Sequence, residues 1–239
     1  MGRAERVSTP KVILNPIICV PESEGAKYKE FNDCEIVTHP DTVKGLNPKR
    51  NWICDTFNDV FMIDDDCARM VRLYDPKDPF IIPIDAGVIL NQTYELAKQI
   101  GVHLFGFNNV PNPIMFDVFE PIKLTGYLLG GAFGVIGWKE SKLWFDTTLV
   151  GQDDYWICGL NAYYHRKLVK DGRFAFVFND TFQNQGGQSN FRTNETEMKD
   201  TIYLRKFFGS AINIKKANKK GPTKNVPKTE YARTLTIPF

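Results

Sequence analysis

Three consecutive aspartates are the residues of this sequence whose types and spacing most clearly suggest chemistry. Asp64, Asp65 and Asp66 directly follow residues 59–63 (DVFMI), which have the composition of a buried strand. Neighbouring carboxylates repel one another, and a hard divalent cation, Mg²⁺ or Mn²⁺, relieves that repulsion. As alternate residues at a strand end, Asp64 and Asp66 can approach one ion. The alternative is an acidic turn in which one aspartate caps the next helix.

A second acidic pair, Asp153 and Asp154, stands at the start of a predicted helix. The dipole at a helix N-terminus favours ionised carboxylates, and an ionised aspartate can take a proton from an acceptor hydroxyl as a general base. The simpler interpretation is N-capping, for which one aspartate suffices. Either residue of the pair could be the base.

Two further segments carry donors suited to phosphates or sugars. Arg50 precedes the acidic strand, and its guanidinium could hold a phosphate or a base carbonyl, although a surface charge is the commoner role of such an arginine. Residues 184–189 (NQGGQS), followed by Arg192, offer backbone N–H groups and amides. The alternative for this second segment is a flexible surface loop.

The segments that must position these side chains alternate between strand and helix patterns. Strands are predicted over residues 11–20, 35–38, 59–63, 102–107 and 174–178, and helices over residues 51–57, 85–100, 153 to about 169, and 193–208. Pro16 indicates a bulge or a restart in the first strand, and Gly101 suits a left-handed helix end. This alternation predicts an α/β fold with a mostly parallel sheet flanked by helices, whose ligands bind beyond the carboxyl ends of the strands.

The apolar segment of residues 128–136 (LLGGAFGVI) contains three glycines, Gly130, Gly131 and Gly134. Glycines inside an apolar run indicate that the backbone closely approaches a ligand or another strand.

Length and charge predict one domain with a basic tail. The 239 residues are 43% apolar, which suffices for a sizeable core. Residues 210–239 hold seven basic residues against one acidic residue, a net charge of +6, which leaves 23 against 27, or −4, in residues 1–209. We therefore predict a catalytic domain over 1–209 and a basic extension over 210–239. Such a tail favours a polyanionic partner, and a solvated tail is the alternative.

Several classes of protein are disfavoured by the composition. No apolar run approaches the roughly 18 residues of a membrane helix, and the charged N-terminus is followed by no signal core, so we expect no membrane partner and a cytoplasmic location. The five cysteines lack metal-site or redox spacing, which favours reduced thiols. The three histidines share no ligand spacing. Nothing in the sequence indicates an oligomeric state.

Five segments together resemble the GT-A glycosyltransferases. In chain order they are IICVPESE, KRNWI, FMIDDDC, GGAFGVI and GQDDYWICGLNAYY. More narrowly, the RAERVST start with VPESE, RNWI, FMIDDDC and DDYW is similar to the TET-associated glycosyltransferases. Bacteriophages carry these enzymes, and a related domain occurs in an animal hormone-response protein. The resemblance covers about residues 3–192 and implies a GT-A-like, Rossmann-like sheet, with a location in the host cytoplasm if a phage encodes the chain.

The resemblance also implies roles for individual residues. Asp64 and Asp66 would hold the Mn²⁺ or Mg²⁺ that bridges the diphosphate of a UDP-sugar, Asp65 would contact the ribose or sugar, and Asp154 or Asp153 would be the base. The remaining donor-binding residues would be Arg50 and Arg192 at the nucleotide and its phosphates, Pro21, Glu22 and Glu24 at the base, and Gly130, Gly131 and Ala132 at the sugar. One departure is that no histidine follows His165 to serve as a further metal ligand. Asn184, Gln185, Asn190, water or nothing would take its place.

The acceptor implied by the resemblance is a hydroxymethylated pyrimidine in DNA, which the basic tail permits and which an enzyme must flip out of a duplex. The sugar, the choice of cytosine or uracil, and the stereochemistry stay open. Three alternatives stay open as well: a protein or small-glycan acceptor, a two-metal nuclease or nucleotidyltransferase built on the same carboxylates, and a DNA-binding module without activity.

Overall fold

A computed structural model describes residues 4–178, 193–214 and 233–236 of the chain. The strands are β1 (Ile18–Pro21), β2 (Ile36–His39), β3 (Val60–Ile63), β4 (Cys67–Arg72), β5 (Phe80–Ile81), β6 (Leu104–Asn108), β7 (Ile122–Lys123), β8 (Ala132–Val135), β9 (Val169–Phe178), β10 (Ile212–Ile214) and β11 (Arg233–Leu235). The helices are α1 (Glu22–Phe31), α2 (Leu46–Phe57), α3 (Pro83–Ile100), α4 (Trp138–Ser141), α5 (Asp153–Tyr164) and α6 (Asn194–Phe208). The chain is thus an α/β protein, as predicted.

The central sheet is curled, flanked by helices, and belongs to a single domain. Its strands follow the order β3-β8-β6-β9-β4-β5, with β7 also paired to β9. In this sheet only β6 and β9 run parallel, and the other pairs within the described residues are antiparallel. Strands β1 and β2 form a separate parallel pair, and α1 connects them along the chain.

The prediction of a mostly parallel sheet is therefore wrong. Parallel neighbours require a crossover of a dozen or more residues, usually a helix, whereas antiparallel neighbours can be joined by a short turn. The β4–β5 connection is such a turn, and it brings β5 back beside β4 with Met70 opposite Ile81. The alternation of strand and helix patterns identifies elements, but it does not identify which strands become neighbours.

Local signals placed most helix ends correctly. Gly101 ends α3 in the left-handed conformation, at φ 70° and ψ 49°, and Thr193 begins α6 with a capping box closed by Thr196. The helix predicted to reach about residue 169 instead ends at Tyr164, because Arg166 takes a positive φ of 62° and β9 already begins at Val169.

The first predicted strand is mostly not a strand. Residues 11–20 begin in a short 3-10 turn, Thr9–Lys11, and only Ile18 starts β1. Asn15, at φ 52°, and Pro16 separate the two parts. Among the described residues no strand precedes Pro16, so neither the bulge nor the restart predicted there is found. The polar residues that follow β1 form the first turn of α1, because Glu22 begins that helix directly.

Two apolar clusters hold the helices onto the sheet. The larger one centres on Trp156 of α5, Phe133 of β8 and the neighbouring Phe145, all about 1% exposed. The second cluster includes Phe107 and Phe176. Burial of such aromatic side chains supplies most of the favourable free energy of packing. Within the described part of the chain, no helix combines the length and apolar character that a membrane crossing requires.

The described parts of the predicted C-terminal extension pack into the domain. Ile212, at the start of β10, is 1% exposed within the larger cluster, and Leu235 of β11 packs against that cluster. Strand β11 pairs with β10 in antiparallel register. The boundary at residue 209 stays a prediction, since most of the basic residues beyond it lie outside the described residues.

Candidate active site

The acidic triplet, Asp64 to Asp66, occupies the carboxyl end of β3 and is held there by its backbone. The Asp64 N–H donates to the Gly131 carbonyl at 2.9 Å. From the other side, the Thr9 hydroxyl donates to the Asp64 carbonyl at 2.7 Å, and the Ser8 N–H donates to the Asp65 carbonyl at 2.9 Å. The N-terminal segment and the turn before β8 thereby fix a segment of high negative charge.

Asp64 is both crowded by protein and open to solutes. Loss of hydration raises the pKa of Asp64 to about 7; Arg50 lowers it, while the charges of Asp66 and Asp153 raise it further. The side chain is nevertheless 51% exposed, so an ion from solution can reach its oxygens. A cation bound to this solvent-facing carboxylate would relieve its repulsion from the neighbouring aspartates.

Arg50 lies beneath the site and connects its parts. Helix α2 carries it to a position only 4% exposed, so the surface-charge alternative is wrong. Its guanidinium donates to Asp153 Oδ2 and, at 2.6 Å, to the Gly130 carbonyl, and it lies 3.8 Å from Asp64 Oδ1. The Phe133 ring lies 5.0 Å away. These internal partners make Arg50 a support for both acidic segments, and its contact with a nucleotide stays a prediction.

The acidic pair begins α5, as predicted, but its two side chains diverge. Asp153 is 4% exposed and bonds to Arg50. Asp154 is partly exposed, and its Oδ2 accepts from the Tyr127 hydroxyl and, at 3.3 Å, from the Gly130 N–H. The N-cap residue is Gln152, at φ 61°, so the capping interpretation of the pair is wrong.

The surroundings of Asp154 hold its pKa within the range useful to a general base. Loss of hydration and then the charge of Asp153 raise the pKa of Asp154 to about 6. Hydrogen bonds from Tyr127 and from the Tyr155 N–H oppose that rise, as does Arg50. The pKa of the Tyr127 hydroxyl is itself raised, by burial and by Asp154. Asp154 is therefore mostly ionised at pH 7 to 8 and able to accept a proton.

The glycine turn, Gly130 and Gly131, lies between the two acidic segments and leaves little room for side chains. A Cβ on Gly130 would lie 3.3 Å from Asp154 Cβ, and one on Gly131 would lie 3.0 Å from the Phe178 ring. In β8, a Cβ on Gly134 would lie 1.9 Å from the Phe105 ring. The close approach predicted for these glycines is thus confirmed.

A shallow pocket adjoins the glycine turn on the side of Phe178. Ala132, one of the residues expected at the sugar, lines this pocket. The other lining residues are Phe107, Asn108, Asn109, Leu129, Phe176 and Phe178. Its aromatic faces and amides are groups that contact sugars, but its volume of about 10 Å³ holds no more than one water and encloses no ring.

Other predicted site residues lie on β1 and α1 or outside the described residues. Pro21 ends β1, and Glu22 and Glu24 lie in the first turn of α1. No hydrogen bond or ion pair described here joins these three to Asp64 or Asp154. Arg192 and residues 184–189 lie outside the described ranges.

Comparison of the chain with protein-family models, with curated proteins and with solved structures finds no match.

The residues present suit a hard cation that also binds substrate oxygens. Among the described residues, no group of three or more His, Cys, Asp or Glu could hold a metal ion by itself. Mg²⁺ is commonly held by one or two carboxylates, with substrate phosphates and water completing its octahedron. Asp64 and Asp66 match that smaller donor set, and among the described residues that act on Asp64 the carboxylates outnumber the one cation, Arg50.

Sequence reasoning missed the residues that organise this site from outside the motifs. Ser8 and Thr9 hold the acidic triplet, and Tyr127 and Asn109 hold the segment before β8. A tyrosine or serine in a loop has no local pattern that reports a partner far along the chain. The only available signal was the RAERVST start, which contains Ser8 and Thr9.

Proposed function

We propose that this protein is a metal-dependent glycosyltransferase that transfers a sugar from a nucleotide-sugar, a UDP-sugar, to an acceptor hydroxyl. The observation that carries the proposal is that two carboxylates of different character flank one glycine turn. The Asp64 N–H bonds to the Gly131 carbonyl, and the Asp154 carboxylate bonds to the Gly130 N–H. One carboxylate is open to a cation and the other can accept a proton.

Asp64 and Asp66 would hold Mn²⁺ or Mg²⁺ at the end of β3. A bound cation would stabilise the charge that develops on the departing diphosphate. The protein contributes a rigid backbone at this point, because Thr9, Ser8 and Gly131 fix the triplet on both sides. Asp65 would contact the ribose or the sugar, and Ala132 with the pocket beside it would contact the sugar.

Asp154, rather than Asp153, is the better general base. Asp153 is buried and its Oδ2 bonds to Arg50, so an acceptor has no access to it. Asp154 is partly exposed and has a pKa of about 6, which leaves it ionised at neutral pH. A base on the face opposite the diphosphate would give inversion at the anomeric carbon.

The same contacts disfavour a two-metal nuclease. That mechanism requires several carboxylates that face two neighbouring ions. Here the Arg50 guanidinium occupies the space between Asp153 and Asp64, and its positive charge opposes a second cation.

For the acceptor we propose a hydroxymethylated pyrimidine in DNA. The support is the resemblance to enzymes that modify phage DNA and the net charge of +6 in residues 210–239, from seven basic residues and one acidic residue. Positive charge of this size can engage several phosphates and makes binding sensitive to salt.

The test is a transfer assay read by mass. The protein is incubated with Mn²⁺, a panel of UDP-sugars, and DNA containing hydroxymethylcytosine or hydroxymethyluracil. The DNA is then digested, and the masses of the nucleosides are measured by mass spectrometry. A hexose- or pentose-sized gain on the modified base supports the proposal and names the sugar class. Donor turnover without a gain on DNA would retain the glycosyltransferase and reject the DNA acceptor. Absence of turnover with every donor would reject both, and nicked DNA would revive the nuclease.

Matched variants connect the activity to the site. Asp64→Asn and Asp154→Asn should each abolish transfer, while Asp33→Asn, which changes an exposed aspartate between α1 and β2, should leave it unchanged. Activity that survives in excess chelator would remove the metal from the mechanism.

A further inference from the structure

We propose that Tyr127 is a positioning residue that sets the orientation and protonation of Asp154. The Tyr127 hydroxyl donates to Asp154 Oδ2, the oxygen that also accepts from the Gly130 N–H at 3.3 Å. This inference rests on the proposed function, because it assigns to Asp154 the role of base.

Tyr127 is itself held in place, as a positioning residue must be. Its ring packs on that of Tyr155, with centroids 5.0 Å apart. Its carbonyl accepts from Asn109 Nδ2 at 2.8 Å and from Lys170 Nζ at 3.4 Å. The ring and the backbone are therefore both anchored, and the hydroxyl has little freedom to leave Asp154.

The hydroxyl opposes the other influences on Asp154. Asp153, the preceding residue of α5, raises the pKa of Asp154, as burial does. Arg50, from α2, lowers it, and Tyr127, from the segment before β8, lowers it through its hydrogen bond. From β9, Lys170 reaches the Tyr127 carbonyl. A phenol that donates to a carboxylate stabilises the ionised form, which is the form that a base requires.

Removal of the hydroxyl should therefore impair the base and leave donor binding intact. In Tyr127→Phe the Asp154 Oδ2 keeps only the Gly130 N–H of its two partners. Loss of a hydrogen bond to a charged group corresponds to a rise of about one pH unit in the titration midpoint of the Asp154 carboxyl. Turnover should then fall by about fivefold at pH 6 and stay close to that of the wild type at pH 8.5. The KM for the donor should not change.

The experiment compares Tyr127→Phe with Tyr94→Phe as a matched control. Tyr94 also donates its hydroxyl to an aspartate, Asp59, at 2.7 Å, but on α3. For each protein, kcat is measured from pH 5 to pH 9. The Asp154 carboxyl is also titrated by NMR with ¹³C-labelled aspartate, and Asp154→Asn assigns its signal.

In Tyr127→Phe alone, we expect the titration midpoint of the Asp154 carboxyl to move to higher pH. The pH at which kcat falls on the acid side should rise with it. Coincident titrations in wild type and Tyr127→Phe would overturn the inference, as would an equal loss of turnover at every pH. The NMR titration needs no substrate, so a shifted midpoint in a protein without turnover would reject the proposed function and retain the contact. If Tyr127→Phe does not fold, 3-fluorotyrosine at position 127 keeps the ring and strengthens the donor, and it should lower the midpoint.

Discussion

At the scale of single residues, a buried ion pair supports the site. Arg50 and Asp153 each have side chains only 5% exposed, and each is the other's main charged partner. Removal of one member of such a pair leaves a charge without compensation in a place that water cannot reach.

Arg50→Met should therefore destabilise the protein by about 3 to 5 kcal/mol. The free energy of unfolding is measured by urea denaturation. The double variant Arg50→Met with Asp153→Asn should recover much of that loss, because it removes the isolated charge. A loss below about 1 kcal/mol in the single variant would show that the pair is not buried in solution.

Asp64, which we propose to bind a cation, weakens the fold at neutral pH. Its pKa is about 7 in the folded protein, above the ordinary value of 3.8, so the folded state binds the proton more tightly than the unfolded state. The contribution of Asp64 to stability is therefore favourable at low pH and is lost as pH rises from about 4 to 7.

We expect Asp64→Asn to raise the free energy of unfolding at pH 8 by about 1 kcal/mol, a figure reduced for the exposure of the side chain. The same variant should lose stabilisation by Mn²⁺, which is measured as the shift of the melting temperature when the ion is added. If Asp64→Asn gains the expected stability but its melting temperature still shifts with Mn²⁺ as in the wild type, Asp64 has no role in binding the cation.

At the scale of elements, the glycine turn decides how β3, β8 and α5 meet. Its backbone bonds to the acidic triplet at Gly131 and to Arg50 and Asp154 at Gly130. A Cβ on Gly130 would lie 3.3 Å from Asp154 Cβ and 3.4 Å from its Oδ2, so a larger residue there would displace the Asp154 side chain by a few tenths of an ångström.

Gly130→Ala should lower kcat by about one order of magnitude, because it displaces Asp154 from its position. The control is Gly87→Ala within α3, where a new Cβ would meet nothing within 4 Å and should be neutral or slightly stabilising. Both variants are assayed for transfer and for thermal unfolding. Unchanged kcat in Gly130→Ala would show that the turn does not constrain the base.

At the scale of the whole molecule, charge is divided between an acidic body and a basic end. Deletion of the basic end would also remove β11, whose Leu235 packs on the core, so a truncation would confuse binding with folding. Charge substitution avoids that problem.

Replacement of Lys219, Lys220, Lys224 and Lys228 by glutamine should weaken DNA binding at low salt and leave donor turnover without DNA unchanged. The slope of the logarithm of the DNA association constant against the logarithm of salt concentration should decrease in magnitude by up to about 3.6. Each lost phosphate contact contributes about 0.9 to it. Fluorescence anisotropy with duplex DNA at several salt concentrations measures it, and arginine at the same positions is the control. An unchanged slope would assign DNA binding to another surface.

The sequence by itself determined the features that depend on neighbours along the chain. The acidic triplet at the end of β3, the acidic pair at the start of α5, the cap of α6 at Thr193 and the left-handed end of α3 at Gly101 were all predictable. Apolar periodicity, helix caps and the conformational freedom of glycine act over a few residues, so a local pattern reports them.

Only the tertiary structure decided which of these features meet. The bonds from Arg50 to Asp153 and Gly130 join residues 103 and 80 positions apart, and the bond from Tyr127 to Asp154 spans 27. Strand direction in the central sheet belongs to the same class, because it depends on how the whole chain packs. Such contacts form when distant segments bury their apolar faces together, and a single sequence carries no local pattern for them.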